Sequence, residues 1–131
     1  MKKLFKLYIL LLAVLPFVCC KSDIRNEYTG NWQFIVEMTK LNIDSIGQFW
    51  KDTIFYEGKI TDGNSDNELV IQYTEEYSIS LNIDDYGILS EFPTVYCNGK
   101  FKKYDEIYLY LRWGGVGGST THIVNGYKEL R

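Results

Sequence analysis

The chain alternates apolar and polar residues with a period of two over four separate stretches. Successive side chains of a β-strand point to opposite faces, so each stretch predicts a strand with one buried face. No segment has the 3.6-residue period of an amphipathic helix, and residues 41–48 are left as a long loop or a single helical turn. The apolar sets are Trp32, Phe34, Val36 and Met38; Leu69, Ile71 and Tyr73; Tyr77, Ile79, Leu81 and Ile83; and Ile107, Leu109, Leu111 and Trp113.

Turn signals separate these stretches. Polar residues cluster at 62–67 and 84–87, the pairs 98–99 and 125–126 (Asn-Gly) are either turns or strand entries, and a glycine run at 114–118 predicts a wide hairpin between the last two strands. Short strands with frequent turns indicate an all-β fold class, an antiparallel meander of about eight strands. Both a small up-and-down barrel and a β-sandwich fit this pattern.

The triplet Gly30-Asn31-Trp32 precedes the first strand's apolar set. It is similar to the Gly-x-Trp opening of lipocalin-like barrels. That resemblance implies that Trp32 plugs the barrel base and that a basic residue of the last strand, Lys128 or Arg131, packs over it. It implies a fold and not a function.

The N-terminus has the layout of a signal peptide. Three lysines among the first six residues precede an uncharged apolar run at 7–18, which is shorter than the roughly 20 residues that cross a bilayer. An uncleaved anchor helix is the alternative. The boundary Phe17-Val18-Cys19-Cys20 resembles the lipobox of bacterial lipoproteins. Cys20 is favoured as the lipidated residue because Cys19 before it is small, whereas Val18 before Cys19 is β-branched.

The lipobox resemblance implies a domain organisation and a location. Residues 1–19 are then the signal peptide, 20–27 the lipidated N-terminus and tether, and 28–131 the all-β domain. Stable anchoring takes more than one acyl chain, which lipoproteins of this class carry. The expected location is the bacterial cell envelope, anchored by lipid to the outer membrane and facing the periplasm or the cell surface.

Charge and cysteine content restrict the partners further. Removing 19 of the 131 residues leaves 112 and takes away three lysines and no acid, so the net charge moves from −3 to −6. An acidic domain repels nucleic acid, which excludes that partner class. Cys97 is expected to be a buried strand residue, and a disulfide to Cys20 requires that the lipidation assignment is wrong.

The sequence offers no catalytic or metal-binding constellation. His122 is the single histidine, and its neighbour Thr121 should point to the opposite strand face, so no triad forms there. Structural zinc needs about four clustered Cys or His ligands. Acids at 62–68 lack the terminal bidentate glutamate of a calcium loop and are expected to form a solvated turn. We therefore expect neither an enzyme nor a bound cofactor.

The glycine run gives the single lead to a binding site outside the lipobox. A partner could approach its backbone closely, flanked by aromatic and imidazole side chains; otherwise the glycines serve only a hairpin with positive φ. The candidate binding residues are Trp113, Gly114, Gly115, Gly117, Gly118 and His122.

Two function classes follow from these observations. The first is a lipid-anchored, non-catalytic binding or interaction module for a small apolar ligand or an envelope protein. The second is a small periplasmic or surface inhibitor or structural protein with a filled barrel. Large inward side chains favour a filled interior in a barrel of this size.

Overall fold

The computed structural model describes residues 23–42, 48–90, 96–115 and 117–129. Eight antiparallel strands follow one another around a closed barrel, and the first strand pairs with the last. This confirms the all-β meander and selects the barrel over the sandwich. In the described part of the chain, no helix is long and apolar enough to cross a membrane. The strands are β1 Gly30–Asn42, β2 Gln48–Asp62, β3 Glu68–Gln72, β4 Ser78–Ile83, β5 Ile88–Ser90, β6 Tyr96–Lys103, β7 Glu106–Gly115 and β8 Gly118–Lys128.

The inward faces are those that the alternation predicts. The apolar sets of β1, β3, β4 and β7 are buried, with two exceptions at one end of the barrel. Tyr77 is 40% exposed because it precedes β4 in a turn, and Trp113 is half-buried. The inner layer thus forms one continuous core that occupies the barrel.

The two Asn-Gly pairs lie inside strands and not at turns. Gly99 is in β6 and Gly126 is in β8, both on the inner face. A Cβ at Gly126 would be 2.6 Å from the Phe34 ring, and one at Gly99 would be 2.6 Å from the Leu109 side chain. These glycines therefore make room for large neighbours in the core.

The expectation of a loop or helical turn at 41–48 is wrong at both ends. Leu41 belongs to β1 and Gln48 to β2, and their pairing continues without a register shift from Gly30↔Ile60 to Asn42↔Gln48. Residues 43–47 lie outside the described part. The strand was missed because the adjacent apolar residues Phe49 and Trp50 hide its period-two pattern.

One end of the barrel is closed by aromatic residues. The Trp32 indole is fully buried, and its Nε1 donates a hydrogen bond to the Tyr28 carbonyl at 2.9 Å. Tyr28 stacks on Phe101 with ring centroids 3.8 Å apart. Lys128, the register partner of Trp32 on β8, donates from Nζ to the Glu27 carbonyl at 2.7 Å. We call this the closed end; Arg131 lies outside the described residues.

A 3₁₀ helix, Ile24–Glu27, leads into the closed end. It falls within the segment 20–27 that the sequence assigned to the tether. The Asp23 carboxylate caps it by accepting from the Arg25 backbone, and the Arg25 guanidinium donates to the Ser65 carbonyl at 2.7 Å. The hydrogen-bonded Arg25 side chain lowers the pKa of Asp23. Asp23, the first described residue, is thereby held beside the β2–β3 loop.

Candidate functional site

The glycine run forms a tight hairpin at the end opposite to the closed end. Gly115 pairs with Gly118, so two residues separate the strands, and the predicted wide hairpin is wrong. Gly114 has φ +113° and Gly118 has φ +154°, and a Cβ on either would meet backbone: Gly118 itself for the first, and the Leu41 carbonyl at 2.7 Å for the second. These two glycines are required by local packing.

The other two described glycines of the run leave open surface. A Cβ at Gly115 or Gly117 would have nothing within 4 Å. Beside them lies a depression of ≈ 460 Å³ between the hairpin and the end of β1, with Trp113 on its wall. The depression also contacts Lys40, Leu41, Asn42, Gly114, Gly118, Ser119 and Thr120.

Trp113 also belongs to a group of rings beneath the depression. Its ring centroid is 4.7 Å from that of His122, which is 1% exposed. The His122 ring is also 4.8 Å from that of Tyr77, and its Nδ1 lies 3.1 Å from the Tyr73 Oη. We call these four residues the mouth cluster. The sequence pointed to Trp113 and His122; Tyr73 and Tyr77 join them from the turn between β3 and β4.

His122 and Tyr73 form an uncharged pair at neutral pH. Burial lowers the pKa of His122, and burial raises the pKa of Tyr73. The Tyr73 hydroxyl and the His122 Nδ1 thus share a hydrogen bond between two neutral groups, and the imidazole tautomer determines which of them donates. Among the described residues, no group of three or more His, Cys, Asp or Glu side chains could hold a metal ion. The mouth cluster thus offers aromatic surface and one hydrogen-bonded polar pair.

We expect acid to destabilise the fold through His122, the single histidine of the chain. Its folded pKa lies below the unfolded value of about 6.5, so the unfolded chain binds more protons below that pH. The free energy of unfolding should fall by up to about 1.4 kcal/mol per pH unit between pH 6.5 and 5.5. Urea titrations at several pH values measure this slope.

The variant His122→Phe is the control for this slope. It keeps a buried ring but cannot titrate, so its free energy of unfolding should be nearly independent of pH between 7.5 and 5.5. Its overall stability should be lower, because Tyr73 loses its hydrogen-bond partner. An unchanged slope in this variant would contradict the assignment.

Above the mouth cluster, strand register places four side chains in one cross-strand row. Lys40 on β1 pairs with Trp50 on β2 and with Thr120 on β8, and Thr120 pairs with Trp113 on β7. All four have the inward parity of their strands. Trp50 is 49% exposed, and Lys40 is exposed. We call this set the mouth row: two indoles with an ammonium and a hydroxyl between them.

Sequence reasoning did not find Trp50 or Lys40. Lys40 lies near the end of β1 and Trp50 near the start of β2, and the sequence pattern did not reveal this part of β2, so the pairing of the two residues could not be predicted. The period-two pattern is present at the inward positions Trp50, Ile54 and Tyr56, but Asp52 interrupts it. Cys97 is half-buried on β6 and pairs with Leu111 on β7. Cys20 lies outside the described residues.

Neither a family model nor a curated protein sequence matches this chain. A solved odorant-binding protein, OBP1, is similar in structure with a TM-score of 0.40 and 15% sequence identity. The similarity covers 80% of this chain and 73% of that protein.

Proposed function

We propose that this chain is a non-catalytic binding module that takes a small apolar ligand at its mouth, carried on a lipid-anchored protein of the bacterial cell envelope. The observation that supports it is the contrast between the two ends of the barrel. The closed end is sealed by Tyr28, Trp32 and Phe101, whereas the mouth presents the half-exposed indoles of Trp50 and Trp113.

We place the proposed ligand at the mouth of the barrel and not in a cavity inside it. Residues of the inner layer from Trp32 to Leu111 are 0–9% exposed and form one contiguous cluster, so side chains occupy the position of a deep ligand. A ring could instead lie in the ≈ 460 Å³ depression against Trp113. Ligand sites are typically apolar with a few polar groups that fix orientation, the part we assign to Lys40 and Thr120.

The direction in which the chain enters the barrel fits anchoring at the closed end. The 3₁₀ helix before β1 brings Asp23 to the closed end, and β1 then runs 13 residues to the mouth. At about 3.3 Å per residue β1 is roughly 40 Å long, and with the tilt of about 40° that barrel strands adopt, the mouth lies roughly 30 Å from the N-terminal side. A lipid on Cys20 would therefore leave the mouth facing away from the membrane.

Binding of the neutral dye N-phenyl-1-naphthylamine tests the mouth site. We expect the dye to bind with increased fluorescence, and Trp113→Leu to weaken binding about five- to thirty-fold, since loss of one aromatic contact removes on the order of 1–2 kcal/mol. Phe55→Leu is the matched control: Phe55 is 76% exposed on the outer face of β2, so its removal should leave binding unchanged. Fluorescence titration of the three proteins gives the dissociation constants.

The same titration distinguishes a second candidate function. The outer wall carries an apolar depression of ≈ 420 Å³ that includes Ile35, Phe55 and Tyr127. If Phe55→Leu abolished dye binding while Trp113→Leu did not, the mouth site would be wrong. The filled-barrel interaction protein, using this outer surface for an envelope partner, would then be favoured.

A further inference from the structure

β2 has a long edge that no described strand covers. β1 pairs with all of β2, but β3 pairs only with residues 59–62. Along 48–58, the opposite edge of β2 therefore presents its backbone N–H and C=O groups without a strand partner among the described residues. Uncovered edges of this length are sites where a further strand can add to a sheet.

The side chains along this edge determine which strand fits. Lys51, Thr53, Phe55 and Glu57 lie on the outer face, and Trp50, Asp52, Ile54, Tyr56 and Gly58 have the inner parity. An edge lysine normally discourages pairing, because an incoming strand would leave its charge uncompensated. A partner strand that places a carboxylate opposite Lys51 is therefore favoured.

We propose that the occupant is β2 of a second copy of this chain, paired antiparallel about a two-fold axis at Ile54. In that register Lys51 faces Glu57 of the second copy, and the symmetry repeats the contact. Thr53 faces Phe55. The pairing uses residues 51–57 and ends before Gly58, where the Gln72 carbonyl and the Phe34 ring already occupy the space beside the backbone.

Neighbouring symmetric registers lack this complementarity. An axis at Thr53 places Lys51 opposite Phe55 and Glu57 opposite Phe49. An axis at Asp52 brings two Asp52 carboxylates together, and an axis at Phe55 places Lys51 opposite Lys59. Opposite charges in facing positions stabilise a strand pair, and like charges destabilise it, so charge selects the axis at Ile54.

Within the subunit, Lys51 lies 3.1 Å from the Glu37 carboxylate. Both side chains are about half-exposed on the outer face. Glu57 of a second copy would extend this pair into a three-residue network across the joined sheets. This proposal uses residues 51–57 along the edge of β2 and no residue of the mouth cluster or the mouth row, so dimerisation can fail without affecting the proposed ligand site.

A charge swap tests the register in the full chain, purified in a mild detergent. We expect sedimentation to show a dimer for the wild type. Lys51→Glu and Glu57→Lys should each raise the dimer dissociation constant by about ten-fold, because two attractive contacts become two repulsive ones. The double variant K51E/E57K should return to within about three-fold of the wild type.

Thermal unfolding of each variant separates association from folding, since Lys51→Glu also removes the contact with Glu37. A monomeric wild type, or a folded double variant that stays as weak as the singles, would overturn the proposal.

Disulfide trapping provides a second measurement that does not depend on charge. Ile54→Cys should cross-link on oxidation, because the axis brings the two residues 54 face to face. Thr53→Cys is its matched control: the two residues 53 are offset by two positions and exceed the roughly 7 Å Cα separation that a disulfide tolerates. Equal cross-linking of both variants, or none in Ile54→Cys beyond the wild-type level, would contradict the pairing.

Discussion

Replacing Trp32 with alanine is expected to lower the free energy of unfolding by about 3–5 kcal/mol. The indole is fully buried, its ring lies 5.8 Å from that of Phe101, and its Nε1 is bonded to the Tyr28 carbonyl. Truncation removes that apolar surface, leaves a cavity at the closed end and deprives a buried carbonyl of its donor. The loss is a large part of the roughly 5–15 kcal/mol that stabilises a typical domain. Urea denaturation followed by circular dichroism measures it.

Trp113→Ala is the matched comparison at the opposite end. Trp113 is half-buried, so less surface returns to water when it is truncated, and solvent can fill the space. The urea midpoint of Trp113→Ala should therefore fall by less than that of Trp32→Ala. If Trp32→Ala left the midpoint nearly unchanged while Trp113→Ala unfolded the protein, Trp32 would not be the plug. The mouth cluster would then be the main stabilising contact.

The second prediction with a large expected effect concerns the lipid that we propose on Cys20. In cells grown with a labelled fatty acid, the wild type should carry the label and Cys20→Ala should lose it completely, because the thiol of residue 20 is the proposed attachment point. The variant should then fractionate with soluble proteins, since no acyl chain remains to hold it at the membrane. Gel fluorography and membrane fractionation give the two measurements.

Cys19→Ala is the control for this assignment, because alanine is also small and preserves the residue before the lipidation site. It should retain the label. If the label persisted in Cys20→Ala and disappeared in Cys19→Ala, the site would move by one residue. If neither variant changed the labelling, the proposal of lipid anchoring would fail while the barrel and its mouth would be unaffected.

Burial within strands could be predicted from the sequence because period-two alternation is a local property. The sets containing Trp32, Ile71, Leu81 and Leu109 are inward-facing in the structure as the alternation requires. Prediction failed for the first part of β2, where an inward Asp52 and an outward Phe55 oppose the pattern. Both residues are exposed, so neither violates the physics of burial.

The site could be predicted less well than the core, because its contacts join distant parts of the chain. Trp113 and His122 are close in sequence and share a hairpin, and their proximity was foreseen. The hydrogen bond between Tyr73 and His122 joins residues 49 positions apart across the barrel interior. No local pattern encodes such a contact. The row joining Trp50 to Trp113 likewise needs the register of four strands, which becomes defined only when the barrel closes.

The pairing of the first strand with the last also has a consequence for folding order. Lys128 meets Glu27 over a separation of 101 residues, and this contact depends on the final strand. Folds that depend on contacts between residues far apart in sequence form slowly. The chain between two such residues must first close into a loop, and only then does their contact stabilise the fold. While the chain emerges from the ribosome N-terminus first, the β8-facing edge of β1 stays uncovered until residues 118–128 arrive. A chain truncated before β8 would be an open sheet with uncovered edges and a tendency to aggregate, rather than a smaller barrel.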